Sequence, residues 1–343
     1  MTSWSWSSTW TPTARSVSAA KRCWKAGPLR RPGSGIAKTA AAVAAAVVIA
    51  IAVAAAAIAA AATIVAANHD AKRSGATHFS TWRASRLFRC TMNWPEGTCV
   101  FAHRGASGYA PENTLAAFEL AAEMGAHGIE FDVQITKDGR LIIHHDRVLG
   151  RTEDATGAVE DWTFADLRAL DVGSWFGNEY AGERMPTPEE IVEAVGDRLL
   201  LNFELINDSL HLNGVAPLLA DLFRRMNLFN RAMISSFNPR SLWRVKKLEP
   251  RIAIGALWGA FEPWYLRSGW WRRLLQPQAL HPEHTLITPD LVRRAHARGQ
   301  RVHAWTVNDE ETARRLCGMG VDMIMGDYPD RLLNAMREVK SQA

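Results

Sequence analysis

The chain has 343 residues, 48% hydrophobic and 22% charged, a balance that supplies a sizeable core and excludes a wholly disordered or low-complexity protein. A net charge of +5 and a pI near 9.2 resemble those of a nucleic-acid binder until the charge is located. Residues 1–73 hold nine Lys/Arg against Asp70 alone, a net of +8; about −3 is left for the remainder, which excludes nucleic acid as a partner.

Residues 1–38, with Ser, Thr, Pro and scattered Trp, show neither a helical nor a strand period and read as a disordered basic tail. From Thr39 to Asn68 no residue is charged, and a spanning helix needs about 20 apolar residues, so 39–68 is expected to be a transmembrane helix or signal anchor. Val47, Val48, Ile49, Ile51, Val53, Ile58, Ile64 and Val65 carry most of its hydrophobic gain. The rival is a cleaved secretory signal ending near Ala66-Ala67, which would leave a secreted domain. Seven Lys/Arg lie upstream, between Arg15 and Lys38, against five between His69 and Arg89. That modest bias favours a cytoplasmic N-terminus and an extracytoplasmic C-terminal domain. Residues 69–97 read as a stalk. Cys90 and Cys99 flank a Pro-containing loop that can close a disulfide in an oxidising compartment, whereas Cys317 falls in an apolar helical pattern.

From residue 98 to 340, short apolar runs alternate with amphipathic segments. The strand candidates are Cys99–His103, Gly128–Val133, Leu199–Leu205, Ala232–Ser236, Ile252–Gly255, Ala279–His281, Arg301–Thr306 and Asp322–Met325. Between them fall helices at Thr114–Met124, Pro188–Val195, Val215–Met226, Pro239–Leu248, Pro289–Ala297 and Asp309–Cys317. Gly125, Gly196 and Gly299 follow the last apolar turns, where a left-handed stop is wanted, and Asn308 and Asp309 sit at an N-cap. Eight strands with intervening helices match an α/β fold of the (β/α)8 TIM-barrel type. The rival, a doubly wound open sheet, would show a Gly-rich phosphate loop after its first strand, and none occurs.

A barrel places its chemistry at the C-terminal ends of its strands. The first candidate strand ends in His103-Arg104-Gly105. The second carries Glu130 and Asp132 on one face, the third Glu204. Carboxylates among Ile, Phe and Val are hard to explain as core. Together they form an oxygen-rich cage suited to a divalent cation, Mg²⁺ or Ca²⁺, rather than zinc. Histidines and an arginine beside such a cage suit phosphate chemistry, with one His accepting a proton and another returning one to a leaving alkoxide. His144 and His145 point to opposite faces of their strand, so one of the two reaches the mouth. Glu112 and Asn113 are expected to order the first loop and cap the following helix, and His281 and His303 to be structural.

The motifs His103-Arg104-Gly105-Ala106, Pro111-Glu112-Asn113-Thr114, Glu130-Phe131-Asp132, His145-Asp146, Asn202-Phe203-Glu204, Ser235-Ser236-Phe237-Asn238, Trp305-Thr306-Val307-Asn308 and Gly326-Asp327-Tyr328-Pro329, in that order, resemble the glycerophosphodiester phosphodiesterase family over nearly all of 98–340. The resemblance implies a (β/α)8 barrel with a small insertion after strand two, here Arg151 to Met185. It also implies metal-dependent hydrolysis of glycerophosphodiesters to sn-glycerol 3-phosphate and an alcohol. It maps the metal ligands to Glu130, Asp132 and Glu204 and the acid/base pair to His103 and His145; Arg104, beside the cage, is expected to neutralise the phosphate, and Trp305, at a strand end, is expected with Phe237 to line the substrate pocket. The family's lysine two residues after the third carboxylate is here Ile206. That departure leaves two alternatives: a lysophospholipase D-type enzyme, or a catalytically impaired barrel that binds polyol phosphates. The run Trp264 to Leu275 mixes aromatics with arginines, as a membrane interface or a lid over the mouth would.

Overall fold

The computed structural model describes residues 92–207, 214–262, 267 and 269–342. The basic tail, the apolar run 39–68 and Cys90 lie outside the described residues, and with Cys90 the expected disulfide to Cys99. Among the described residues, no helix is long and apolar enough to cross a membrane.

In chain order the strands are β1 (Cys99–His103), β2 (Gly128–Ile135), β3 (Leu141–Ile143), β4 (Val148–Leu149), β5 (Gly157–Ala158), β6 (Leu200–Leu205), β7 (Ala232–Ser236), β8 (Ala253–Trp258), β9 (Ala279–Pro282), β10 (Arg301–Ala304) and β11 (Met323–Gly326). Eight of them, all but β3, β4 and β5, are parallel and pair in the order β1-β11-β10-β9-β8-β7-β6-β2, and β1 closes on β2. This is the expected (β/α)8 barrel. Helices cover the outer face of its strands, which is apolar, and side chains fill the inside.

The helices are α1 (Leu115–Glu123), α2 (Phe164–Arg168), α3 (Pro188–Val195), α4 (Val215–Arg225), α5 (Pro239–Leu248), α6 (Trp270–Leu275), α7 (Pro289–His296), α8 (Glu310–Gly318) and α9 (Pro329–Gln342). Their starts are written locally. Thr114, Thr288 and Asp309 accept backbone N–H bonds at the starts of α1, α7 and α8, and Thr187 with Glu190 forms a capping box ahead of Pro188. Two of the expected glycine stops are left-handed, Gly125 at φ +82° and Gly299 at φ +70°, whereas Gly196 ends α3 at φ −62°. Between strands and helices, Phe118, Phe131, Phe203 and Phe223 stack in series, with 4.5 Å between the Phe131 and Phe203 ring centres. Each such fully buried ring contributes about 1.5–3 kcal/mol by leaving water.

Parallel pairing aligns residues that point the same way. His103 lies beside Glu130, Glu130 beside Asn202, Asp132 beside Glu204, and Glu204 beside Ser235. The register therefore gathers the polar residues of four strands on the inner face near the mouth. Deeper in the lumen, His281 and His303 are fully buried and bonded to each other at 2.8 Å, as structural histidines. Burial holds His281 neutral, down to about 3, and pushes His303 the same way. Gly255 on β8 makes their room, since a Cβ there would sit 2.4 Å from His281 Nε2. At the far end Met92 and Trp94 pack against the strands, the Trp94 ring 5.0 Å from that of His303.

The region after strand two begins at β3, which runs antiparallel to β2, and contains the β4–β5 hairpin and α2. It has a small core of its own around Ile142, Leu149, Val159, Leu167, Val172 and Met185.

Candidate active site

The turn after β1 sets the first group of side chains. Arg104 (φ +56°) and Gly105 (φ +85°) both take left-handed backbone, and a Cβ on Gly105 would meet the Ala117 backbone at 2.7 Å. Only glycine lets α1 press onto this turn. The reversal aims the Arg104 N–H at Glu130 Oε2, 3.2 Å away, and leaves His103 at the mouth.

Glu130, Asp132 and Glu204 bring carboxylate oxygens within 4.8 Å of one another. Burial first, then the charges of Asp132 and Glu204, raise the Glu130 carboxyl well above the ordinary range, and Arg104 only partly opposes this. Glu130 Oε1 is buried with no hydrogen-bond donor. Three hard oxygens, two of their residues fully buried and one oxygen orphaned, make a set that a divalent cation fits. Asp132 is braced from behind: its Oδ2 accepts from Asn113 Nδ2 at 2.8 Å, and its N–H donates to Asn113 Oδ1 at 3.3 Å. Asn113 therefore steadies a carboxylate rather than capping α1, a task that falls to Thr114.

Two histidines share one design. His103 Nδ1 lies 2.7 Å from Asp327 Oδ1, and His145 Nδ1 lies 2.8 Å from Asp146 Oδ1. Each carboxylate is held in turn. Asp327 takes bonds from Ser107 and Asn308, and Asp146 from Arg151. Burial raises the Asp327 carboxyl, but the bond and charge of His103, with Asn308 and Ser107, bring it below its ordinary value. An imidazole fixed at Nδ1 presents Nε2 to a reactant, and His103 Nε2 lies 4.0 Å from Glu130 Oε2. His144 and His145 lie just past the end of β3, and His144 turns the other way, into a buried place 3.8 Å from Glu153, where desolvation lowers its pKa.

Arg104 Nη1 bonds Glu112 at 2.9 Å and its Nε lies 3.3 Å from Asp132; Arg151 grips the same Glu112 with two nitrogens. Burial raises the Glu112 carboxyl, but the bonds and charges of Arg151 and Arg104 outweigh it and bring it to about 2. Glu112 thus ties the loop after β1 to the insertion. His103, Arg104, His145, Asn202, Glu204, Phe237, Phe261 and Trp305 line one hollow of about 260 Å³. The Phe237 ring meets Trp305 edge-on at 5.4 Å and Phe261 at 5.7 Å, which makes one wall aromatic.

The structure thus brings together His103, Arg104, Glu130, Asp132, His145, Glu204, Phe237 and Trp305, the site residues expected of the folded domain. Asp327, Arg151 and Phe261 join them, the last two without a sequence signal of their own. Asp327 stood within a motif, but its partner His103 is 224 residues away.

A closed barrel with a carboxylate cage, two aspartate-bound histidines and an arginine at its mouth defines a class of proteins suited to anionic esters beside a cation. Within that class, the chain belongs to the glycerophosphoryl diester phosphodiesterase family, whose model matches residues 103–331. It is 41% identical over 244 residues to a glycerophosphodiester phosphodiesterase of Caldanaerobacter subterraneus subsp. tengcongensis, covering 70% of this chain and 98% of the relative. A glycerophosphodiester phosphodiesterase of Bacillus subtilis is 32% identical, covering 75% and 92% respectively. Among solved structures, an Oleispira antarctica phosphodiesterase in complex with its product sn-glycerol-3-phosphate superposes with a TM-score of 0.62 at 33% identity, over 70% of this chain and 97% of the other.

Proposed function

We propose that the chain hydrolyses glycerophosphodiesters to sn-glycerol 3-phosphate and an alcohol with the help of a divalent cation. The observation that carries the reading is the carboxylate cluster facing two histidines whose Nδ1 atoms are each fixed by an aspartate. Glu130, Asp132 and Glu204 would hold the cation, Mg²⁺ or Ca²⁺ by the hardness of its ligands, and it would supply charge neutralisation at the phosphate oxygens. Arg104, on the lining of the hollow beside Asp132, takes the phosphate. A water oxygen bonds to phosphorus and the ester P–O bond to the alcohol breaks. One of His103 and His145 accepts the water proton at Nε2, and the other gives its own to the departing alkoxide. Asp327 and Asp146 stabilise whichever imidazole is charged.

At the position of the family's lysine stands Ile206, half-buried. Arg104 remains as the cation on the lining, which supports an active enzyme over an impaired binder. The aromatic wall, with Phe261 73% exposed, favours lysophospholipids as a second substrate class, since an acyl chain gains by covering it. We further propose that the uncharged run 39–68 anchors the chain with the barrel on the extracytoplasmic face. Resistance of the full chain to alkaline extraction, with protease access from outside, tests that placement; a freely soluble full chain would refute it.

Release of glycerol 3-phosphate from glycerophosphocholine, with and without a chelator and across Mg²⁺, Ca²⁺ and Mn²⁺, tests the central reading. No turnover with any of the three would overturn it.

A further inference from the structure

On the outer wall of the barrel, away from the mouth, lies a cleft of about 900 Å³ between α6 and α7. One of its walls is a short helix. α6 has six residues, fewer than the eight of α7 or the eleven of α4. Leu280 and Leu291 remain in the floor. Arg272, Arg273, Arg294 and Arg298 line it, and no acidic side chain does. Beside it, Asp290 pairs with Arg293 and Arg294, and the charge of Glu262 acts on Arg272. Arg272 stacks over Trp258 at 3.9 Å and gives one bond to the Arg267 carbonyl, and its buried Nη1 has no acceptor.

The same helix is apolar on both sides. Trp271 and Leu275, four apart, are buried; Trp270 and Leu274, also four apart, are 57% and 79% exposed. A free anion would use the arginines and gain nothing from Trp270 or Leu274. A bilayer with anionic headgroups uses both, since the rings and methyls enter the interface while guanidinium groups meet phosphate. Phe261, on the lining of the hollow at the mouth, is likewise exposed.

We propose that α6 and the arginine cleft form a docking surface for an anionic phospholipid bilayer. This surface works independently of residues 39–68 and of the hydrolytic site.

The test uses the full chain reconstituted with vesicles of phosphatidylcholine alone or of phosphatidylcholine mixed with phosphatidylglycerol. Amide hydrogen exchange over residues 269–299 is expected to slow with the anionic vesicles and to be unchanged with the neutral ones. Arg273→Gln with Arg298→Gln weakens docking about thirtyfold, which is about 1 kcal/mol per arginine, and so removes the slowing. Trp270→Ser with Leu274→Ser removes it too, and Arg273→Lys keeps it. Equal exchange in both vesicle types, slowing by inorganic phosphate without vesicles, or slowing that survives both double variants would each overturn the proposal. The comparison of lipids in the unaltered chain decides even where a variant fails to fold. Turnover of soluble glycerophosphocholine reports on the hydrolytic site alone, so the two readings fail separately.

Discussion

The barrel holds two pairs of histidines that fold and register treat oppositely. His103 and His145 stand at the mouth, each bonded through Nδ1 to a carboxylate. His281 and His303 lie in the lumen below, bonded only to each other and kept neutral by burial. All four come from strands or their ends. Partner and depth, rather than residue type, decide which imidazole can carry a proton on and off. A carboxylate makes the charged form tolerable, and a second imidazole in a dry lumen makes it costly.

That contrast can be broken at several points. The largest effect is expected at the cage: Glu130→Ala should lower turnover about a thousandfold or more with the fold intact by circular dichroism, and chelation should do the same to the unaltered enzyme. Next come the mouth histidines, where His103→Ala and His145→Ala should each cost about 10²–10⁴ in kcat. Undiminished activity in either would place the proton chemistry elsewhere. Glu112 sharpens the electrostatic side. Its folded pKa of about 2 lies below the ordinary 4.5, so its stabilisation is complete above about 4.5 and is lost as pH falls towards 2. Urea unfolding should show roughly 3 kcal/mol vanishing across that window, and a flatter profile for Glu112→Gln. Asn113→Ala, which frees Asp132, should cost about 10–100-fold in activity or metal affinity. The smallest catalytic effect belongs to the lumen. His303→Leu leaves His281 without its partner and should cost about 1–3 kcal/mol of stability while kcat/KM stays as it was.

Much of this was legible in the chain. β1 and β7 run over the residues that apolar patterning marks, and β6 starts one residue later than expected. β8 is the looser case: it runs on to Trp258 because Ala256 and Leu257 continue the pairing with β9 past the glycine that looks like its end. The carboxylates of β2 and β6 were readable because apolar strands give them no other reason to exist. The partners of the histidines were less so. Asp146 is adjacent to His145, but Asp327 meets His103 only because β11 closes on β1, and Arg151 reaches Asp146 and Glu112 from inside the insertion. Asn113 sits where a cap is plausible, and only a left-handed backbone turns it onto Asp132 instead.

That backbone has a consequence for anyone who would reshape the protein. Arg104 and Asn113 both adopt positive φ, and the Asn113 N–H bonds the Arg104 carbonyl, so the two irregular residues hold each other in place. A non-glycine residue in this conformation gives up about 1–2 kcal/mol. The mouth is therefore where the barrel has traded robustness for aim. Substitutions chosen to harden the protein against heat would find their easiest gains here and lose the enzyme with them, so thermostabilisation belongs in the outer helices and the far end of the barrel.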